Sequence, residues 1–144
     1  MSAFRFISPA VPTWRALPPT GNDWQHELKH DGWRVQVHVN DGTVWLLSRN
    51  ANDLGHRFSD LVAALRRAKL PDVVIDGELI GCDENGWPNF YALQRRAADH
   101  CVWAFDLLWL EGKDLCTVPL VERRRRLASV VKRAALPCLR FSEA

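Results

Sequence analysis

The chain has 144 residues, 47% of them hydrophobic and 25% charged, with a formal net charge of +2. That is the size and make-up of one ordinary domain with a core of its own. A charge this small, with pI ≈ 8.5, permits a nucleic-acid partner without establishing one. The longest apolar stretch, Val102 to Leu110, is broken by Asp106 and is too short to span a bilayer. The four cysteines (Cys82, Cys101, Cys116 and Cys138) include no C-x-x-C pair, which excludes a paired-ligand zinc site. No signal peptide precedes the chain, so reduced thiols and a cytoplasmic protein are expected.

In chain order, Pro9, Pro12, Pro18 and Pro19 predict an extended, non-helical lead-in over residues 1–22. From Arg34 the pattern alternates, with Val35, Val37 and Val39 on one face and Arg34, Gln36 and His38 on the other. Asn40-Asp41-Gly42 makes a turn, and Thr43 to Leu47 returns as a second strand. Phe58, Leu61, Val62, Leu65 and Ala68 fall at helical spacing, so the spacing predicts a helix over 58–69, ended at Leu70-Pro71. Val73 to Ile80 reads as a strand, followed by a polar loop with Asn85-Gly86 and a short helix from about Pro88 to Ala97. Val102 to Leu110 reads as a buried strand and Glu111 to Asp114 as a turn. Pro119 opens a helix through Ala135, and Leu139 to Ser142 begins another strand. The sum is a single α+β domain of antiparallel strands with packed helices.

The residues that carry chemistry begin with Glu27-Leu28-Lys29-His30-Asp31-Gly32-Trp33-Arg34. A lysine becomes a nucleophile when burial or neighbouring cations depress its pKa. Arg34 and a phosphate-bound metal would supply the cations, and Asp31 would orient the amine or receive its proton. Gly32 allows a tight turn beside a bulky ligand. Taken singly, such groups have plain structural explanations. Arg49 fits a strand-end arginine, Glu78 a turn carboxylate, Phe105 a core aromatic, and Asp106 a carboxylate that satisfies backbone donors.

Their order carries more. Lys29-His30-Asp31-Gly32-Trp33-Arg34 is followed by Leu47-Ser48-Arg49-Asn50, by Val74-Ile75-Asp76-Gly77-Glu78-Leu79, and by Trp103-Ala104-Phe105-Asp106-Leu107-Leu108. Together these motifs resemble the adenylation domain of ATP-dependent DNA ligases, above all the ligase module of bacterial non-homologous end-joining ligases. The likeness runs from about Trp24 to Phe141. It implies the nucleotidyltransferase fold, which is ATP-grasp-like. It also implies that Lys29 attacks the α-phosphorus of ATP, expelling pyrophosphate and becoming lysyl-AMP. Glu27 would sit beside the adenine edge, with Leu28 in the same pocket. Arg34 and Arg49 would contact ribose and phosphates through their planar, two-donor ends. Glu78 would hold a ribose hydroxyl or Mg2+, and Phe105 would stack on adenine. The implied partner is DNA, at nicks or double-strand ends, in the bacterial nucleoid. The superfamily also holds RNA ligases and capping guanylyltransferases, from which Asp76-Gly77-Glu78 and Phe105-Asp106-Leu107-Leu108 favour the DNA-ligase branch.

Two other features fall outside these motifs. Arg123 to Arg126 are four consecutive helical residues, which cover all sides of a helix and form no single basic stripe, so a solvated face is expected. Most of the seven tryptophans are expected in the core, with Trp33 and Trp87, beside turns, as candidate stacking surfaces for bases.

The resembled family carries a later metal-binding glutamate, a late pair of phosphate-gripping lysines and an OB-fold domain. The chain stops at Ala144, and its last lysine is Lys132. The expectation is therefore an incomplete adenylation domain over 1–144 with no OB-fold, and a sheet edge left unpaired unless self-association or a second polypeptide covers it. Losing individual stabilising donors costs about 100-fold to 1000-fold each, so complete sealing by this chain alone is not expected. The alternatives are a non-catalytic module that binds nucleotide or DNA, and one part of a split ligase.

Overall fold

A computed structural model describes residues 5–95 and 99–144. Its strands are β1 (Trp33–Asn40), β2 (Thr43–Ser48), β3 (Val73–Cys82), β4 (Asp99–Leu110), β5 (Lys113–Asp114) and β6 (Leu139–Phe141), and its helices are α1 (Ser59–Arg67) and α2 (Leu120–Ala134). The class is α+β, as expected. The strands form one sheet in the order β2-β1-β3-β4-β5, with β6 also against β4.

The sheet is mixed where antiparallel pairing was expected throughout. β6 runs parallel to β4, with Val102, Ala104 and their neighbours opposite Leu139 to Phe141. The reason lies in α2, whose 15 residues form the crossover that a parallel pair requires. Two other expectations change in detail. Glu111-Gly112 alone makes the turn, and Lys113 and Asp114 already pair with Leu110 and Trp109. The helix expected over 88–97 is a single 3-10 turn, Phe90–Gln94, in which the Asn89 side chain accepts from the Tyr91 N–H. Arg96 and Ala97 lie outside the described residues.

The alternation in β1 sorts the two sides of the sheet. Val35, Val37 and Val39 join Val73, Ile75 and Leu79 of β3 in one core, which Phe58, Leu61 and Leu65 close from α1 and Leu127 and Val130 from α2. Burying each such side chain contributes about 1.5–3 kcal/mol. On the opposite face Gln36, His38 and Asp76 are buried although polar. The lead-in crosses that face and supplies partners. Gln36 donates to the Ile7 carbonyl at 2.6 Å and accepts from the Ile7 N–H, and His38 lies 3.0 Å from the Gln36 side-chain oxygen. Burial lowers the His38 pKa to about 4.

The outer edge of β2 is covered in part by the chain itself. The loop that follows folds back, with Ser48 N–H on the Asn52 carbonyl and Leu54 N–H on the Leu46 carbonyl, both at 2.8 Å. Among the described residues, no helix is long and apolar enough to cross a membrane.

Candidate functional site around Lys29

The segment from Trp24 to Asp31 has no helix or strand and is fastened at Glu27 and His30. Glu27 turns inward to the Arg124 guanidinium at 2.9 Å. His30 lies 3.0 Å from the Ser142 hydroxyl, with its ring 4.7 Å from that of Trp103. Between these anchors Leu28 and Lys29 face solvent. The Lys29 side chain is 87% exposed, and its amine sits 2.8 Å from an Asp31 oxygen. That hydrogen bond raises the Lys29 pKa, and the negative charges of Asp31 and Glu78 add to the effect. The sequence reading called for burial or cations that depress it. The amine stands here as an ammonium, poised near two carboxylates rather than two cations.

Gly32 is required by the protein's own sheet. A Cβ there would collide with the Leu79 carbonyl of β3, whereas the expectation tied this glycine to space for a ligand. The close passage lets the Gly32 N–H donate to the Glu78 carboxylate at 3.1 Å. Glu78 is half-buried. Burial raises its pKa, and the Gly32 N–H and Lys29 work against that rise.

Strand register then sets the next pairs. Arg34 lies across from Glu78, one step from Asp76 on the same face. Its Nε and Nη2 donate to the two Asp76 oxygens at 3.1 and 2.7 Å, and its Nη1 donates to the Ala10 carbonyl at 3.0 Å. The donors expected to meet ribose and phosphate therefore meet protein acceptors. Burial raises the Asp76 pKa and Arg34 partly offsets it. The Arg34 guanidinium also lies 5.4 Å from the centroid of the Phe105 ring.

Phe105 occupies an irregularity in β4. Asp76 pairs with Asp106 but Gly77 pairs with Ala104, so Phe105 is the extra residue of a β-bulge. Gly77 makes this possible, because a Cβ there would lie 2.7 Å from the Trp103 carbonyl oxygen. The freed Phe105 carbonyl accepts from Arg124 Nη1 at 2.8 Å. Arg49 stands apart, exposed in the turn after β2, with no side-chain hydrogen bond or ion pair to the other described residues. The structure thus gathers Glu27, Lys29, Arg34, Glu78 and Phe105 on linked elements and leaves Leu28 and Arg49 free.

Arg123 and Arg124 do not lie on the solvated face expected of the arginine run. Arg123 holds Asp106 with two bonds at 2.8 and 2.9 Å. Arg124 is buried, with Glu27, Phe105 and the Ser142 carbonyl as its partners and the Phe141 ring 4.8 Å away. Only Arg125 and Arg126 fit the expectation, both on Glu122. The signal was spacing, since Arg123 and Arg124 stand four and three residues before buried Leu127. Asp106 also accepts from the Leu107 N–H at 2.8 Å, the backbone role foreseen for it. The tryptophans differ from expectation in part. Trp14, Trp24 and Trp87 are exposed, and Trp33 packs edge-on against Phe58 under the Arg57 guanidinium. A cavity of about 1110 Å³ lies beside α1 near Cys82, Cys101 and Arg140, and none of the expected site residues lines it.

Comparison with known proteins identifies the family. The family model described as "ATP dependent DNA ligase domain" matches residues 15–138. A multifunctional non-homologous end joining protein LigD of Pseudomonas aeruginosa is 39% identical over 142 residues, covering 95% of this chain and 17% of that protein. A DNA ligase of Pyrobaculum calidifontis is 34% identical over 120 residues, covering 74% of this chain and 21% of that protein. A solved mycobacterial DNA ligase D complexed with ATP and MES superposes with a TM-score of 0.71 at 31% identity, covering 82% of this chain and 38% of that one. The chain spans about a fifth of the length of the two curated relatives. It belongs to the ATP-dependent DNA ligase domain family.

Proposed function

We propose that residues 1–144 form one portion of an adenylation domain that offers Lys29 to the α-phosphate of ATP, in the cytoplasm and in the service of DNA end or nick sealing. The observation that carries this is an exposed Lys29 amine bonded to Asp31 and attracted by the charge of Glu78, the residue across from the Arg34 that braces Phe105. The Lys29 nitrogen forms a bond to the α-phosphorus as the bond to pyrophosphate breaks. The amine proton passes to Asp31 or water, leaving lysyl-AMP. Glu27 and Phe105 take the edge and face of adenine, with Leu28 beside them. Glu78 takes the ribose hydroxyl or Mg2+, and Arg49 reaches the phosphates. Arg34 acts by holding Phe105 and Asp76, and reaches the nucleotide only by releasing them.

A magnesium ion fits here with a modest protein share, since it is commonly held by one or two carboxylates together with substrate phosphates. Glu78 is such a carboxylate, with only one oxygen taken up by Gly32. When bound, the ion neutralises phosphate charge. The raised pKa of Lys29 means that its deprotonation waits on cations arriving with the nucleotide.

The test is incubation of the chain with α-labelled ATP and magnesium. Covalent label on the protein, absent from Lys29→Ala, is expected; an unlabelled wild-type chain at high protein concentration removes the proposed activity. GTP in place of ATP reads the base preference. A second reading is favoured by the exposed, protonated state of Lys29. In it the chain binds nucleotide or DNA without reacting until a second polypeptide or second copy completes the site. That reading predicts ATP binding that survives Lys29→Ala.

A further inference from the structure

Among the described residues, Arg124 is a buried side chain that touches both elements assigned to the base. Its Nη1 lies 2.9 Å from the Glu27 carboxylate and 2.8 Å from the Phe105 carbonyl, and its Nη2 donates to the Ser142 carbonyl. Its side chain is 6% exposed and stacks over Phe141. Glu27 lies in a strandless segment and Phe105 in a bulge, so neither is fixed by ladder hydrogen bonds. A planar guanidinium with donors at set angles fixes the distance between them.

The charge matters as much as the geometry. Adenine presents an exocyclic amine donor where guanine presents a carbonyl acceptor. An ionised carboxylate only accepts, so it favours adenine; a protonated one also donates. Burial raises the Glu27 pKa and Arg124 opposes that rise.

We propose that Arg124 is a positioning residue for base selection, holding Glu27 as an anionic acceptor at a fixed distance from the Phe105 ring. This rests on the reading of Glu27 and Phe105 as base contacts. The plainer role, a clamp between α2 and strands β4 and β6, predicts lower stability and equal losses for every nucleotide.

The test titrates ATP and GTP with magnesium into the full chain and its Arg124→Gln and Arg124→Lys variants, with circular dichroism to establish folding. Arg124→Gln is expected to weaken ATP about tenfold while GTP changes less than about twofold. Arg124→Lys keeps the charge but not the planar fork, and is expected to lose about threefold for ATP alone. If Arg124→Gln does not fold, Arg124→Lys decides by itself. Adding Arg124→Gln to Glu27→Gln should leave the ATP-to-GTP ratio of Glu27→Gln unchanged, because the two act through one carboxylate. A wild-type ATP-to-GTP ratio in the folded variants overturns the inference while the reading of the pocket stands. A wild-type chain that binds ATP no better than GTP overturns both.

Discussion

The polar face of the sheet and the segment that carries Lys29 are built on opposite principles. On the face, Arg34 and Asp76 are locked by two short bonds, with Asp76 only 4% exposed and Phe105 packed under the guanidinium. In the segment, the Lys29–Asp31 pair is almost wholly in water, with exposures of 87% and 78%. A buried pair is costly to break because one partner is left charged without solvent. An exposed pair is weak and readily exchanged. The lesson is a division of labour: the Arg34–Asp76 face is held fixed, and the Lys29 amine is free to change partners, as the proposed function requires of a nucleophile.

Substitutions can break or sharpen this contrast. Asp76→Ala strands Arg34 and should cost about 3–5 kcal/mol of folding stability, measured by urea denaturation. A loss under about 1 kcal/mol would show the face to be no more locked than the segment. His38 tests the same face by pH. With its pKa lowered to about 4 from an ordinary 6.5, the folded chain refuses a proton that the unfolded chain accepts. Stability is therefore full above pH 6.5 and falls as pH drops toward 4, by about 3 kcal/mol from this group. His38→Gln should flatten the difference between denaturation curves at pH 7 and pH 4.5; parallel losses in both proteins would exclude His38 as the cause. Gly77→Ala pushes a methyl group against the Trp103 carbonyl at the bulge and should cost about 1–3 kcal/mol. The smallest effect belongs to the segment. Asp31→Asn should leave the unfolding midpoint unmoved while the Lys29 pKa, followed by NMR at the side-chain nitrogen, drops toward the ordinary lysine value. A clear fall in the midpoint would mean that the segment is as tightly built as the face.

Features set by local chemistry were legible in the sequence. The β1–β2 hairpin follows from the Val35, Val37, Val39 alternation and the Asp41-Gly42 turn, where both residues have positive φ. Helix α1 follows from its apolar spacing. The order of four motifs was enough to name the family, although none of them alone is specific. Features set by contacts between distant residues were not legible. Nothing near Phe105 marks it as a bulge, because the irregularity exists only relative to β3. The same holds for Arg123 and Arg124, whose roles depend on Asp106 and Glu27 in other elements. Local reasoning about a run of arginines sees the helix surface and not the strands beneath it. Gly32 was singled out correctly, but the Leu79 carbonyl that requires it lies on another strand.

The anchoring of the Lys29 segment has a consequence for the order of folding. Its contacts reach far along the chain: His30 meets Ser142 across 112 residues, and Glu27 meets Arg124 on α2. Contacts that close such long loops form late, after the hairpin and helices have collapsed. The Lys29 segment therefore docks last, onto a sheet already assembled. By the same logic it is the first region released when the native state opens locally. Amides between Trp24 and Asp31 should then exchange with solvent well before those of β1 and β3, and a protease should find this stretch while the sheet is still intact.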